Sequence, residues 1–184
     1  TKRDLTEVYN IPSQKISVVY HGYTPLIESE NKSNDHGDYI LFVGDRNNYK
    51  NFLNFVYAVK DILFENKDIN VICAGGGSFA SVENEILLRL GLKDRVFNLK
   101  VSDSELSSLY KHALVYVNPS LYEGFGLPIL EAFASNCPTI LSNTSCFEEV
   151  GGNASVYFNP EDPNSIKEAI RSVIFNTEIR NTLI

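Results

Sequence analysis

Short apolar runs alternate with segments of helical periodicity from Tyr39 to Val173, and that alternation leaves few folds open to this chain. The runs Tyr39–Val43, Ile69–Ala74, Arg95–Leu99, Leu114–Val117, Pro138–Leu141 and Ser155–Phe158 read as strands. Between them, residues 51–64 place Phe52, Phe55, Val56, Val59, Ile62 and Leu63 on one helical face. Residues 79–90 form a helix stopped by Gly91, and Ser102 with Glu105 is a capping box for a helix to about Lys111. Leu127–Ser135 is helical, and Asp162 caps a last helix in which Ile166, Ala169, Ile170, Val173 and Ile174 recur at three and four. Upstream, Ile16–Val19 reads as a short β-branched strand, and the polar residues 23–38 read as a loop. Apolar strands separated by helices imply a parallel sheet covered on both faces. The expected fold is therefore α/β, a Rossmann-like parallel sheet of about six strands, in one domain spanning 1–184. Ligands of such sheets bind beyond the carboxyl ends of the strands, near the switch in strand order. The loops Arg46–Asn51, Gly75–Gly77, Leu99–Val101 and Tyr122–Gly126 all follow strands and should converge on one edge.

Composition removes several classes of function. A net charge of −7 argues against nucleic acid, whose phosphates demand a basic footprint. No apolar run approaches the length of a membrane span, and no signal peptide opens the chain. The three cysteines, Cys73, Cys137 and Cys146, lack metal-type spacing and suit a reducing cytosol better than a disulfide scaffold. No His pairs with Cys, Asp or Glu at metal spacing, so no metal is expected. The matches to the glycosylation sequon at Asn31, Asn143 and Asn153 are then coincidental. The chain starts without Met and contains none, and it opens inside a helix-like run, Asp4–Tyr9. It reads as a segment cut from a longer protein.

The run Glu123-Gly124-Phe125-Gly126-Leu127-Pro128-Ile129-Leu130-Glu131 carries the chemistry. It follows an apolar strand and opens a helix. Gly124 and Gly126 let the backbone turn and approach a ligand closely. Pro128 occupies the first helical turn, where the ring is tolerated, and the N–H groups of that turn form an anion site. Carboxylates flank the glycines. A phosphorylated, hydroxyl-rich ligand such as a nucleotide sugar fits these groups.

This run resembles the E-x7-E motif of family 4, or "group 1", retaining glycosyltransferases. Phe42-Val43-Gly44 with Lys50-Asn51 is similar to that family's first strand and phosphate-binding Lys-Asn. Pro138–Ser142 with Glu148-Glu149-Val150-Gly151, and then Asn159–Pro163, is similar to the strand and turns that follow the motif. The match covers roughly residues 16–175. It implies the C-terminal, donor-binding half of a two-domain GT-B enzyme, with no cofactor or metal and a nucleoside diphosphate sugar as donor substrate. The acceptor, a glycan or lipid-linked sugar, would meet a separate N-terminal domain, so the isolated chain is expected to be nearly inactive. The same likeness implies bacterial mannosyltransferases of surface polysaccharide synthesis. It also implies a cytoplasmic enzyme, peripheral at the inner membrane face in its full-length form.

By this resemblance Lys50, Arg46 and Glu123 are the catalytic candidates. Lys50 stands at the start of a strong helix, where a cation opposes the helix dipole unless an anion binds; a solvated lysine is the other reading. Arg46 stands one place later than the family's usual arginine, with Asp45 in its stead. Glu123 would contact the sugar or steady charge at the anomeric carbon; a solvated loop carboxylate is the alternative. Glu131 could bridge ribose hydroxyls, or simply favour a helix N-terminus. Backbone groups of Gly124, Phe125, Gly126 and Leu127 would meet phosphate and sugar, although Phe125 equally suits a core plug. Gly44 lines the phosphate loop, and Lys100 and Val101 offer backbone to the base. Gly75-Gly76-Gly77-Ser78-Phe79-Ala80 formally matches a dinucleotide fingerprint but reads as a tight turn beside the ligand. His21-Gly22 marks a turn at the domain junction. Asn136, standing where the family has Gly, should adopt the left-handed conformation of a helix stop. A GT-B sugar-nucleotide epimerase and a non-catalytic nucleotide-binding module are the rival functions.

Overall fold

The computed structural model describes residues 2–24 and 36–183. After a short helix α1 (Lys2–Glu7), strands and helices alternate: β1 (Asp38–Val43), α2 (Phe52–Glu65), β2 (Ile69–Ala74), α3 (Ser81–Arg89), β3 (Val96–Leu99) and α4 (Asp103–His112). They continue as β4 (Val115–Asn118), α5 (Leu127–Ala134), β5 (Thr139–Ser142), α6 (Phe147–Gly151), β6 (Ser155–Phe158), α7 (Pro163–Ile174) and α8 (Thr177–Thr182). All strand pairings are parallel and the six strands lie in the order β3-β2-β1-β4-β5-β6.

The period-two alternation of side chains explains why the strands are apolar throughout. Ile40, Phe42, Val71, Cys73, Val115 and Val117 face one layer with α2 and α7. Tyr39, Leu41, Ile72, Ala74, Tyr116 and Leu141 face the other, against Leu109 and Tyr110 of α4, Ile129 and Ala132 of α5, and Phe147 of α6. Helix α2 buries the six residues that its periodicity marks, and Ala58 as well. Each of the large ones contributes about 1.5–3 kcal/mol by leaving water.

Strand order reverses between β1 and β4. Strand β2 pairs with β1 along its whole length, from Asp38–Ile69 to Val43–Ala74. By contrast β4 meets β1 only at Ile40–Val115 and Leu41–Tyr116. The switch point, where ligands of such sheets bind, therefore lies at the carboxyl ends of β1 and β4.

Local signals hold at several boundaries. Gly91 and Asn136 both have left-handed φ, at 69° and 51°. The Ser102 amide donates to Glu105 at 2.9 Å, and the Asp162 carboxylate accepts from the Asn164 amide at 2.9 Å. Three expectations fail. Among the described residues Ile16–Val19 pairs with no strand, and Val19, off the sheet, is 86% exposed. Helix α2 starts after Asn51, which is itself left-handed at φ 58° and follows a 3-10 turn, Asn48–Lys50. Most of the proposed 23–38 loop, and the Asn31 sequon, lie outside the described residues. The segment Glu148–Gly151 is helical rather than a turn.

Gly151 is the tightest glycine in the sheet layer. A Cβ there would stand 2.6 Å from the Tyr157 hydroxyl, 2.7 Å from Leu141 Cδ1 and 2.8 Å from Ser155 Oγ. Gly151→Ala should cost about 1–3 kcal/mol through overpacking. Thermal unfolding should show a midpoint lower by roughly 3–10 °C; an unchanged midpoint would mean those three side chains move aside freely.

Candidate functional site

The loops after β1 and β4 meet at the switch point. Lys50, the last residue of the 3-10 turn, forms an ion pair with Glu123 of the glycine-rich loop. Both side chains are about 15% exposed, at 14% and 16%. The Lys50 ammonium lies over Gly44, where a Cβ would stand 3.7 Å from Nζ, and 5.5 Å from the Tyr49 ring centre. An acidic partner, rather than solvent, thus offsets the unfavourable dipole of α2. The adjoining Asn51 is committed elsewhere: its side chain donates to the Pro160 carbonyl at 2.7 Å, tying the loop to the segment before α7.

Glu123 is held from three directions. The buried Ser120 hydroxyl lies 3.0 Å from its Oε1 and 2.7 Å from Asn118 Oδ1. Ser145, left-handed at φ 59°, donates to the Glu123 carbonyl at 2.6 Å and accepts from its amide at 3.2 Å. The half-buried Cys146 thiol reaches the Glu123 and Phe125 carbonyls at 3.4 and 3.2 Å, and burial pushes its pKa up. The Leu121 amide also donates to the Tyr49 carbonyl at 2.7 Å, joining the Lys50 and Glu123 loops through backbone.

Gly126 ends the loop with φ 94°, and α5 begins at Leu127 with Pro128 in its first turn. A non-glycine residue at 126 would be strained. Gly124 differs: its φ is ordinary and a Cβ there would meet nothing within 4 Å. The fold itself therefore does not require glycine at 124. Phe125 is half-buried and belongs to neither core cluster; its ring packs on His21 at 5.3 Å and Tyr20 at 6.1 Å. It is thus a contact to the N-terminal segment and not a plug of the core. Leu127 is 41% exposed at the helix entrance.

Glu131 lies on α5, half-buried, and accepts a hydrogen bond from the Tyr110 hydroxyl at 3.0 Å. Burial raises its pKa, the Tyr110 hydrogen bond lowers it, and Asp103 raises it. Tyr116 is fully buried, and burial first, then the charges of Glu123 and Glu131, push its pKa well above the usual value. Among the described residues its hydroxyl has no hydrogen-bond partner.

Arg46 sits apart from this cluster. Its side chain is 3% exposed, with Nε donating to Glu83 at 3.1 Å. Its other nitrogens donate to the carbonyls of Gly75, Gly76, Gly77 and Ser78 at 2.7–3.1 Å. The guanidinium lies 4.8 Å from the Phe79 ring centre. All three glycines of this loop have positive φ, so their carbonyls turn inward on the arginine. The tight-turn reading holds, with Arg46 as the post around which the turn winds. Lys100 follows β3 and is exposed, and Val101 packs on the α4–α5 core.

The sequence singled out Lys50, Glu123, Gly126 and Glu131; the ion pair joins Lys50 to Glu123, and Gly126 opens the helix that carries Glu131. It passed over Ser120, Ser145, Cys146, Tyr110 and Glu83. Only Tyr110 carried a signal, an apolar-face position beside Leu106 and Leu109. The others act through contacts 22–37 positions away or through small hydroxyls with no local pattern.

The fold and its switch point define a doubly wound α/β protein of the kind that binds ligands at a strand-order switch. The chain belongs to the glycosyl transferases group 1 family, whose model matches residues 24–184. It is 36% identical over 175 residues to the O-antigen chain mannosyltransferase RfbU of Salmonella typhimurium, covering 94% of this chain and 48% of that protein. A glycosyltransferase structure from Rickettsia africae superposes with a TM-score of 0.82 at 20% identity, over 99% of this chain and 53% of that one. The C-terminal domain of the group 1 protein LpcC from Francisella tularensis superposes with a TM-score of 0.69 at 20% identity, over 86% of this chain and 89% of that domain. The fold is that of GT-B glycosyltransferases, and the chain spans about half the length of the curated relative it matches. Among the described residues no helix is long and apolar enough to cross a membrane.

Proposed function

We propose that this chain is the donor-binding, C-terminal half of a retaining hexosyltransferase that uses a nucleoside diphosphate sugar. The observation that carries this reading is the Lys50–Glu123 pair at the strand-order switch, over Gly44 and beside the start of α5. A diphosphate entering there meets the Lys50 ammonium and the α5 helix N-terminus, two groups that stabilise the charge developing on the leaving group. In this reading no metal is required for that role. Diphosphate binding takes Lys50 over from Glu123, whose carboxylate then steadies positive charge at the anomeric carbon as the glycosidic C–O bond to phosphate breaks. The open space at Gly124 leaves room for the hexose. Glu131 accepts from the ribose hydroxyls, and the backbone at Lys100 and Val101 borders the base. Arg46 acts by shaping the Gly75–Ser78 loop rather than by meeting phosphate.

The likeness to an O-antigen chain mannosyltransferase supports mannose as the hexose and a glycan or lipid-linked sugar as acceptor. The acceptor is held by a separate N-terminal domain. The enzyme works in the cytoplasm, at the inner face of the membrane.

Calorimetric titration of the chain with guanosine, uridine and adenosine diphosphates and their mannose or glucose esters tests the proposal. One base should bind with a dissociation constant of about 1 mM or tighter, the range usual for enzyme substrates. No binding by any of them would overturn the reading.

A further inference from the structure

Glu131 is a half-buried carboxylate with no ion-pair partner among the described residues; its hydrogen bond comes from Tyr110. The two residues belong to different helices, α4 and α5, packed on one core. Tyr110 is fully buried, and its ring meets Tyr116 edge-on at 5.5 Å and 80°. A buried phenol needs an acceptor for its proton. Burial raises the Tyr110 pKa well above its usual value, so the hydroxyl donates and Glu131 Oε2 accepts. One carboxylate oxygen is thereby fixed, and Oε1 is left for a ligand. The geometry points to Tyr110 as a positioning residue: its hydroxyl holds Glu131 Oε2 so that Oε1 faces the vicinal ribose hydroxyls of the donor. This rests on the donor-binding reading above.

The pH dependence follows from the groups around Glu131. Asp103 and Tyr110 face it from α4 and Tyr116 from β4, and the Tyr116 phenol also feels Glu123. The Cys137 thiol lies beside the two tyrosines, pushed up to about 12 by burial. Burial and Asp103 favour protonated Glu131; the Tyr110 hydrogen bond favours the ionised form. Ribose hydroxyls need the ionised acceptor. Removing the Tyr110 hydroxyl therefore raises the Glu131 pKa, and nucleotide affinity should be lost at a higher pH as the solution is acidified.

Tyr110→Phe keeps the buried ring and deletes only the donor. The test uses the chain labelled with 13C at glutamate carboxyls, with the Glu131 signal assigned by its loss in Glu131→Gln. In Tyr110→Phe the Glu131 titration midpoint should rise by roughly half to one pH unit. Affinity for the tightest-binding nucleoside diphosphate should fall about threefold or more at pH 6, with a smaller loss at pH 8. In a Glu131→Gln background, where no carboxyl remains at 131, Tyr110→Phe should leave the affinity unchanged. An unmoved midpoint, or an equal loss of affinity in the Glu131→Gln background, would overturn the inference. Absence of nucleotide binding by the wild-type chain overturns the donor reading instead. A wild-type chain that binds while the Tyr110→Phe midpoint stays put refutes the role of Tyr110 alone.

Discussion

Arg46→Ala should cost the chain about 3–5 kcal/mol of stability, the range for breaking a buried ion pair from one side. The arginine side chain is 3% exposed and Glu83 is 12% exposed, so the orphaned carboxylate cannot turn fully into water. The carbonyls of Gly76, Gly77 and Ser78 lose that donor in the same step, while Gly75 keeps the Asn98 side-chain amide at 3.0 Å. These residues stand in left-handed conformations at 75, 76 and 77, and the arginine holds them there. Thermal unfolding should show a midpoint lower by roughly 10 °C. Arg46→Lys should recover little, because one ammonium cannot reach four carbonyls and a carboxylate in a planar fan. The outcome separates two roles. An arginine that served only to bind diphosphate would leave the midpoint within about 2 °C when replaced and would remove nucleotide affinity alone.

That contrast shows where sequence reading stopped. The alternation of apolar runs and helical faces prescribes the sheet, because a strand buried on both sides has to be apolar throughout. Asn136 and Gly91 were legible because their backbone need is local. The loops at the carboxyl edge were legible as a set, since every one of them follows a parallel strand. What escaped was partnership. Lys50 and Glu123 are 73 positions apart, and nothing in either segment names the other. Arg46 was a catalytic candidate by the family resemblance, standing one place after the usual arginine in the same loop as Lys50. Its actual partners lie 29–37 positions on, in a loop whose inward carbonyls exist only once three glycines take positive φ. Ile16–Val19 failed for the opposite reason. β-propensity is a preference for a half-buried pleated surface, and among the described residues no strand pairs with this run to provide one.

Lys50→Ala should weaken nucleoside diphosphate binding by about tenfold to a hundredfold, the worth of a charge-assisted contact of roughly 1.5–3 kcal/mol. The structure adds a second term to that loss. Without the lysine, the Glu123 carboxyl stands beside the diphosphate with no cation from position 50 to offset it. Glu123→Gln should act in the other direction on binding. It frees Lys50 from its present partner and removes that carboxyl, so affinity for the diphosphate should hold or improve. Hexosyl transfer by the full-length enzyme should nevertheless fall about a hundredfold or more, as expected when a group that meets transition-state charge is lost. The double variant should bind more tightly than Lys50→Ala alone, because the two residues share one interaction. Glu131→Ala should cost less affinity than Lys50→Ala, since its carboxylate gains hydroxyl contacts but also repels the phosphates. Added salt should shrink the Lys50 effect and leave the Glu131 effect nearly unchanged. Titration of the four variants and the wild type at two salt concentrations reads all of these at once. Losses of equal size for Lys50→Ala and Glu131→Ala, insensitive to salt and to the state of Glu123, would show that Lys50 holds Glu123 for the fold's sake and never meets phosphate.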